Sequence, residues 1–195
     1  LHAQINMLTA KNIEVIAIFD KTYPPLLKEI YEPPWLLYIK GDSSILASEK
    51  KLAVVGSRQV TEYGKYAIRQ LFPDLIKKNL VIVSGLARGV DAIAHETTIA
   101  LGGKTIAVIA GGFDHIYPKE NIDLANKIMQ KHLIISEYPP HIQPTRWQFP
   151  LRNRIISGLC LGTFIIEAKK RSGSFITADF ALHEGREVFA LPGNI

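Results

Sequence analysis

From Leu52 onward, short apolar runs alternate with segments whose apolar residues recur every three or four positions, as at Val90, Ala94 and Thr97. The runs predict strands, and the intervening segments predict helices. Strands that are apolar throughout and alternate with helices are typical of βαβ units. The pattern predicts an α/β fold, a Rossmann-like, doubly wound and mostly parallel sheet with helices on both faces, with strands at 52–55, 80–84, 105–110, 133–136, 162–166 and 187–190.

Prolines interrupt the predicted strands and helices at two places. Near the N-terminus, proline pairs at positions 24–25 and 33–34 disfavour helix and favour extended chain. We interpret this part of the chain as a proline-punctuated lead-in that packs on a Rossmann-like core domain, residues 1–50 and 51–195 respectively. Pro73 lies inside the first long helical segment, and we expect that helix to kink or end just before the proline.

Composition narrows the range of partners. The 195 residues are 47% hydrophobic, which suffices for one well-formed core. Lys and Arg exceed Asp and Glu by 23 to 18, and the net charge of +5 favours a polyanionic partner. The single Cys160 excludes a disulfide framework and a thiolate zinc site, and we expect a cytoplasmic protein. No apolar run approaches the roughly 18 residues that cross a bilayer, so we expect no membrane partner.

The turns after the predicted strands are rich in glycine and basic residues, at the edge of the sheet where ligands of open parallel sheets bind. The first two turns each lead into a helix, whose N-terminus presents unpaired amide N–H groups and a partial positive charge. Such a turn is a candidate anion site, although helix capping by serine explains each turn equally well on its own. The candidates in these turns are Gly56, Ser57, Arg58, Ser84, Gly85 and Arg88.

Two later turns place more cations at the same edge. The turn after the third strand contains a glycine pair and then Lys119, either a mobile point charge for phosphate or a solvated surface charge. The turn after the fifth strand has three consecutive basic residues and then a Ser-Gly-Ser sequence that leads into a helix. Positive charge, hydroxyl groups and amide donors converge there and favour an anion. The alternative for two of the three basic residues is that they are simply solvated and bind nothing. This turn contributes Lys169, Arg171, Ser172 and Gly173.

Another predicted helix carries Arg152, Asn153 and Arg154 in its first turn. Cations at a helix N-terminus are unfavourable because they lie at the positive end of the helix dipole. Their presence there indicates that these residues have a function. The alternative is an ion pair between these arginines and a nearby carboxylate, that of Glu137 or Glu167.

Several phosphate-binding and catalytic motifs are excluded. Residues 103–105 are similar to the end of a Walker A loop, but they precede a strand and lack the earlier glycine. No Gly-x-Gly-x-x-Gly follows the first strand, and the histidines lack metal-ligand spacing. Asp91 and His95, four residues apart, are expected to brace their helix against the turn, with general-base catalysis by His95 as the less favoured alternative. We therefore expect no cofactor, no metal, no catalytic residue and no enzyme activity.

Six segments combine into a longer pattern: 55–58 (VGSR), 84–91 (SGLARGVD), 136–139 (SEYP), 149–159 (FPLRNRIISGL), 171–174 (RSGS) and 185–193 (GREVFALPG). In this order they resemble the DprA (Smf) family of bacterial DNA-processing proteins. The resemblance covers nearly the whole chain from about Tyr23, and motifs of this length are far more specific than a single glycine pattern.

The resemblance implies a homodimer that binds single-stranded DNA, protects incoming DNA and helps to load the RecA recombinase in natural transformation and DNA recombination. The apolar C-terminal helix is a candidate surface for self-association. By motif, Arg58 and Lys119 are implied to bind the strand, and aromatic residues are expected to stack on its bases, namely Phe113, Tyr117 or Phe149. The implied pocket contains Gly56, Ser57, Ser84, Gly85, Arg152, Asn153, Arg154, Arg171, Ser172 and Gly173, and Arg88 and Lys169 complete the candidate set.

The chain departs from the family pattern in two respects. Its third loop has Gly111-Gly112-Phe113 where members more often have Gly-Thr-Gly or Gly-Cys-Gly, and it ends before the C-terminal winged-helix domain of many members. The alternative function is a nucleoside-monophosphate-binding phosphoribohydrolase of similar architecture, with Glu167 as its acid–base residue. That class is expected to have a Pro-Gly-Gly-x-Gly-Thr turn, which this sequence lacks.

Overall fold

Eight strands form one mixed sheet in the computed structural model, which describes residues 2–169 and 172–193. The six strands predicted from the sequence are present within one residue of their predicted bounds, and the Rossmann-like α/β class is confirmed. The strands are β1 (Glu14–Ala17), β2 (Leu36–Gly41), β3 (Lys51–Val55), β4 (Val81–Ser84), β5 (Thr105–Ile109), β6 (Leu133–Ser136), β7 (Gly162–Ile165) and β8 (Glu187–Ala190).

Helices cover both faces of the sheet, because successive residues of its buried strands point alternately to one apolar cluster on one face and to two apolar clusters on the other. One face packs against α2, α6 and α7, and the other against α3, α4 and α5. None of the described helices is long and apolar enough to cross a membrane. They are α1 (His2–Ala10), α2 (Pro25–Lys28), α3 (Glu62–Lys77), α4 (Val90–Ala100), α5 (Ile122–Lys131), α6 (Gln148–Gly158) and α7 (Gly173–His183).

The strand order is β1-β2-β6-β5-β4-β3-β7-β8, with parallel pairing from β6 to β8. The chain moves outward from β3 to β6 and then returns to β7, on the other side of β3. Helix α3 therefore leaves the sheet on one face and α7 on the other. This reversal of direction opens a crevice at the carboxyl ends of the strands.

The N-terminal segment that the prolines set apart contributes two strands to the same sheet. Strand β2 pairs antiparallel with β6, with Tyr38 opposite Ser136, and β1 pairs antiparallel with β2. Leu37 and Ile39 of β2 are fully buried in the core. The sequence pattern did not predict these strands, since they lie outside the regular alternation of strands and helices, prolines precede β2, and both strands run antiparallel to their neighbours.

Helix α3 does not end before Pro73, which was one of the two outcomes expected from the sequence, but continues to Lys77. The proline lies near the end of the helix, so few backbone hydrogen bonds follow it, and Phe72 beside it is fully buried. The helix ends where Asn79 adopts a left-handed conformation with a φ of 58°, a common helix terminator. Packing of the apolar face outweighs the cost of the proline here.

Asp91 braces α4 against the preceding turn as expected, since its carboxylate accepts hydrogen bonds from the N–H groups of Gly85 and Ala87, but His95 hydrogen-bonds to Thr105 instead. The Thr105 hydroxyl donates to the carbonyl of Ile82 at 2.7 Å, so its oxygen accepts a hydrogen bond from Nδ1–H of His95, also at 2.7 Å. Burial lowers the pKa of His95 to about 3. The imidazole is therefore a neutral core group and is unsuited to general-base catalysis at neutral pH.

We predict that the buried His95 makes the protein less stable as the pH falls below about 6.5. The unfolded chain takes up a proton near that pH, while the folded protein resists protonation down to about 3. The free energy of unfolding should therefore decrease by up to about 1.4 kcal/mol per pH unit from this residue alone. Urea unfolding between pH 6.5 and pH 4.5 measures the slope, and His95→Asn should flatten it. An equal slope in the variant would contradict the assignment.

Candidate functional site

Loops at the carboxyl ends of β3, β4 and β7 enclose a cleft of about 1080 Å³, together with the first turns of α6. The cleft occupies the crevice where the direction of the sheet reverses. Helices α4 and α7 begin at its wall, because Asp91 and Ser174 in their first turns line it. Helix N-termini carry unpaired amide N–H groups and a partial positive charge, so this wall favours an anion.

Most of the residues proposed from the sequence meet in this cleft. They come from four separate segments, and their convergence makes helix capping alone an insufficient explanation for these turns. Arg171 lies outside the described residues. The predicted residues that line the cleft are Gly56, Ser57, Arg58, Gly85, Arg88, Arg152, Asn153, Lys169, Ser172 and Gly173.

Three predicted residues are not part of the cleft lining. The fully buried hydroxyl of Ser84 donates to the carbonyl of Val54 at 2.7 Å, which fastens β4 to β3. Arg154 is buried and donates to both carboxylate oxygens of Glu137, at 2.6 and 3.0 Å. Lys119 is exposed in a short 3-10 turn directly after Pro118, the last lining residue of that loop.

Arg152 and Arg154 lie in the second turn of α6 and not in its first turn, as the sequence had indicated. The helix begins three residues earlier than expected, at Gln148. The side chain of Gln148 accepts hydrogen bonds from the N–H and the hydroxyl of Thr145, at 2.5 and 2.8 Å. This contact closes the turn that leads into α6, and the earlier start of the helix places the arginines away from the positive end of its dipole.

Arg152 forms the floor of the cleft. Its guanidinium donates to the carbonyl of Gly85 at 2.8 Å and to that of Val108, so it joins α6 to two strands. The Asp91 carboxylate accepts from the N–H groups of Gly85 and Ala87, at 3.1 and 3.3 Å. Burial raises the pKa of Asp91 and lowers that of Arg152 to about 10, and in each case the charge of the other residue opposes the shift. The two side chains lock the turn that follows β4.

Two glycines are required by this packing. A Cβ on Gly85 would lie 2.8 Å from the Asp91 carboxylate and would collide with the Arg152 guanidinium. Gly89, at the start of α4, has a φ of +74°, and a Cβ there would collide with the carbonyl of Ser57. The glycines therefore let the turns after β3 and β4 touch each other.

The cations that remain available to a ligand are exposed. Arg58 and Lys169 are exposed in the cleft wall, where the Lys169 ammonium lies 3.4 Å from the Gln59 side chain. Arg88 pairs with Glu120, with Nη2 and Oε2 2.7 Å apart. Arg146 also lines the cleft, although the sequence analysis missed it. Arg146 lies in the turn just before α6, two residues ahead of the first residue of the helix.

The aromatic residues divide into two groups. Tyr117 and Phe149 line the cleft and form an edge-to-face pair with ring centroids 5.5 Å apart. Tyr117 is 50% exposed, so its ring is available for stacking. Phe113 is 9% exposed and belongs to the apolar core around α5, so it is not available to a base.

Glu167, the acid–base candidate of the alternative function, has a structural contact. Its carboxylate accepts hydrogen bonds from the hydroxyl and the N–H of Thr61, the latter at 2.9 Å, at the start of α3. It is not part of the cleft lining. Within residues 2–169 and 172–193, no group of three or more His, Cys, Asp or Glu side chains is arranged to hold a metal ion. The phosphoribohydrolase alternative is not favoured.

Comparison with known proteins identifies the family. Residues 14–195 match the model of DNA recombination-mediator protein A. The chain belongs to that family. It is 49% identical over 185 residues to the DNA processing protein DprA of Bacillus subtilis, which covers 95% of this chain and 62% of that protein. The chain thus spans less than two thirds of this relative's length.

Solved structures of the DprA family superpose closely on the chain. DNA processing protein A of Streptococcus pneumoniae is 47% identical with a TM-score of 0.90, over 97% of this chain and 68% of that one. DNA processing protein A of Helicobacter pylori is 33% identical with a TM-score of 0.86, over 94% of this chain and 82% of that one. The latter structure is described as giving insight into a unique single-stranded DNA binding mode.

We predict that the buried and exposed arginines of the DprA-family cleft differ sharply in their effect on stability. Arg152→Ala leaves the Asp91 carboxyl buried without its counter-charge and should lower the free energy of unfolding by about 3–5 kcal/mol. Arg58→Ala removes an exposed charge and should change it by less than about 0.5 kcal/mol. Urea denaturation of both variants measures the difference. Equal destabilisation would contradict the division of roles.

Proposed function

We propose that this cleft binds single-stranded DNA. The observation that carries the proposal is the arrangement of exposed cations, Arg58, Arg146 and Lys169, around a wall formed by two helix N-termini. Phosphate contacts of this kind supply most of the affinity of proteins for nucleic-acid backbones. The DNA-binding mode described for the Helicobacter pylori relative supports the proposal.

The aromatic pair at the cleft favours a single strand over a duplex. Tyr117 and Phe149 present ring surface beside the cations, and unpaired bases stack on aromatic rings without regard to sequence. In a duplex the bases are stacked on each other and cannot reach these rings. We propose that phosphates contact the cations while one or two bases pack on Tyr117 and Phe149.

The proposal extends to the role of the whole protein. We propose that the strand held in the cleft is incoming DNA, which the protein protects in the cytoplasm and presents to the RecA recombinase during transformation and recombination. Binding without catalysis is part of this proposal, and incubation with AMP should release no free adenine. The names of the relatives, DNA processing protein and DNA recombination-mediator protein, support a role in handling DNA.

We also propose that the protein forms a homodimer through α7 and β8. Phe175, Leu182 and Phe189 expose apolar surface on these neighbouring elements, between 45% and 62% of each residue. Burial of such a surface against a second copy would stabilise the pair. Light scattering on the protein and on Leu182→Glu tests the assignment, and a monomeric wild type would refute it.

We predict a steep salt dependence of single-stranded DNA binding. Log K should decrease against log salt concentration with a slope of about −0.7 for each phosphate contacted, because binding releases counterions. Arg58→Ala should weaken binding and make the slope shallower by about 0.7. Fluorescence anisotropy with a labelled oligonucleotide measures both quantities.

Arg69→Ala is the matched control for this experiment. Arg69 is an exposed arginine of α3 and is not part of the cleft lining, so its removal should leave the slope unchanged. A salt-independent affinity, or a preference for duplex over single strand in the wild type, would refute the proposed function.

We predict that Glu120→Gln increases the affinity for single-stranded DNA. Glu120 neutralises Arg88 at the cleft, and both side chains are about half exposed. A phosphate must compete with this carboxylate, so its removal should raise the affinity about two- to fivefold at low salt. Glu62→Gln removes a carboxylate of α3 that also forms an ion pair, with Lys65, but is more exposed than Glu120 and lies outside the cleft lining, so it should have no effect. Equal affinities of the wild type and Glu120→Gln would show that Arg88 does not contact the strand.

A further inference from the structure

The edge of the sheet opposite the cleft carries a row of lysines. The loops and helix ends that precede β3, β4, β5 and β6 each contribute one or two, and β2 contributes another because it runs antiparallel to β6. All of these side chains belong to the amino ends of the parallel strands. We name them the amino-edge lysines: Lys40, Lys50, Lys77, Lys78, Lys104 and Lys131.

The row is continuous across five neighbouring strands. The sheet order is β2-β6-β5-β4-β3, and each strand has at least one of the amino-edge lysines at its end. Hydrogen bonds interleave the segments, since N–H of Val81 donates to the carbonyl of Lys50 and N–H of Ile82 to that of Lys104. With strands about 4.8 Å apart, the row is about 19 Å long.

Most of these charges are not neutralised by neighbouring carboxylates. Lys77 lies 3.6 Å from Asp74 and Lys104 lies 3.5 Å from Asp42, both in exposed pairs. Among the described residues, the other four amino-edge lysines form no ion pair. Burial lowers the pKa of the neighbouring His132, and Lys104 and Lys131 lower it further against an opposing effect of Asp42. The local field is therefore positive.

Helix dipoles explain only part of the row. Lys77 and Lys131 lie in the last turns of α3 and α5, where a cation offsets the negative end of the helix. Lys50 and Lys104 lie in loops directly before strands, where that reason does not apply. Segments 40–51, 77–80, 101–105 and 131–133 contain no Phe, Tyr or Trp, so the edge offers charge without stacking surface.

We propose that the amino-edge lysines bind the phosphate backbone of a second segment of DNA, on the side of the molecule opposite the cleft. A row of flexible ammonium groups without aromatic residues recognises backbone charge and not bases, so it takes duplex and single strand alike. The choice of DNA as the polyanion rests on the proposed function, but the contact itself does not require the cleft. One molecule can then hold two DNA segments at once.

The test compares a triple variant, Lys50→Gln, Lys78→Gln and Lys104→Gln, with the wild-type chain. Fluorescence anisotropy is measured with a duplex and with a short single-stranded oligonucleotide, over a range of salt concentrations. The triple variant should bind the duplex at least tenfold more weakly at low salt, with a slope shallower by up to about 2.7. Its affinity for the short single strand should stay within twofold of wild type, because the cleft is intact.

The control variant carries Lys21→Gln, Lys28→Gln and Arg69→Gln, which remove the same charge from exposed sites outside both the cleft and the amino edge. It should bind the duplex as the wild type does, and equal melting temperatures of all three proteins show that the variants are folded. Wild-type duplex affinity in the amino-edge variant would overturn the inference, and so would an equal loss in the control. If Arg58→Ala leaves binding of the short single strand unchanged, the proposed function of the cleft is refuted. The duplex affinity of the amino-edge variant then still decides whether the amino-edge lysines bind DNA.

Discussion

The carboxyl edge of the sheet depends on one buried charge, the guanidinium of Arg152. Removing this cation from water is tolerated because the carbonyls of Gly85 and Val108 accept its hydrogen bonds and the Asp91 carboxylate supplies a counter-charge. These partners come from different elements, so satisfying one side chain fixes α6 against β4 and β5. The floor of the cleft is therefore held together by contacts within the protein that need no ligand, and such pre-organisation limits the ordering cost of binding.

The fold was predictable from the sequence for those strands whose burial is visible in their own residues. Strands β3 to β7 are covered on both faces and are therefore mostly apolar, which the sequence displays directly. Strand β2 was not predicted, because its register depends on pairing with β6, a contact between residues about a hundred positions apart. The end of α3 was not predictable from Pro73 alone, because burial of the neighbouring Phe72 depends on contacts that are distant in the sequence.

The site was predictable as a set of segments and not as individual side chains. Most of the predicted glycines and cations line one cleft, because they directly follow the carboxyl ends of neighbouring strands. Sequence could not separate Arg152, which holds the floor, from Arg154, which pairs with Glu137, because the two residues differ only in the helix face they occupy. Arg146 was missed for the opposite reason, since its place depends on where α6 begins.

Strand β2 also has a consequence for where the chain can be shortened. It occupies the hydrogen-bonding edge of β6 and fills the core with Leu37 and Ile39. A protein cut at residue 51 would keep every glycine turn of the cleft, yet it would leave β6 as an open edge with apolar surface beside it. Such edges pair with those of other molecules and promote aggregation. The boundary at residue 50 thus separates two sequence patterns that share one sheet and one core.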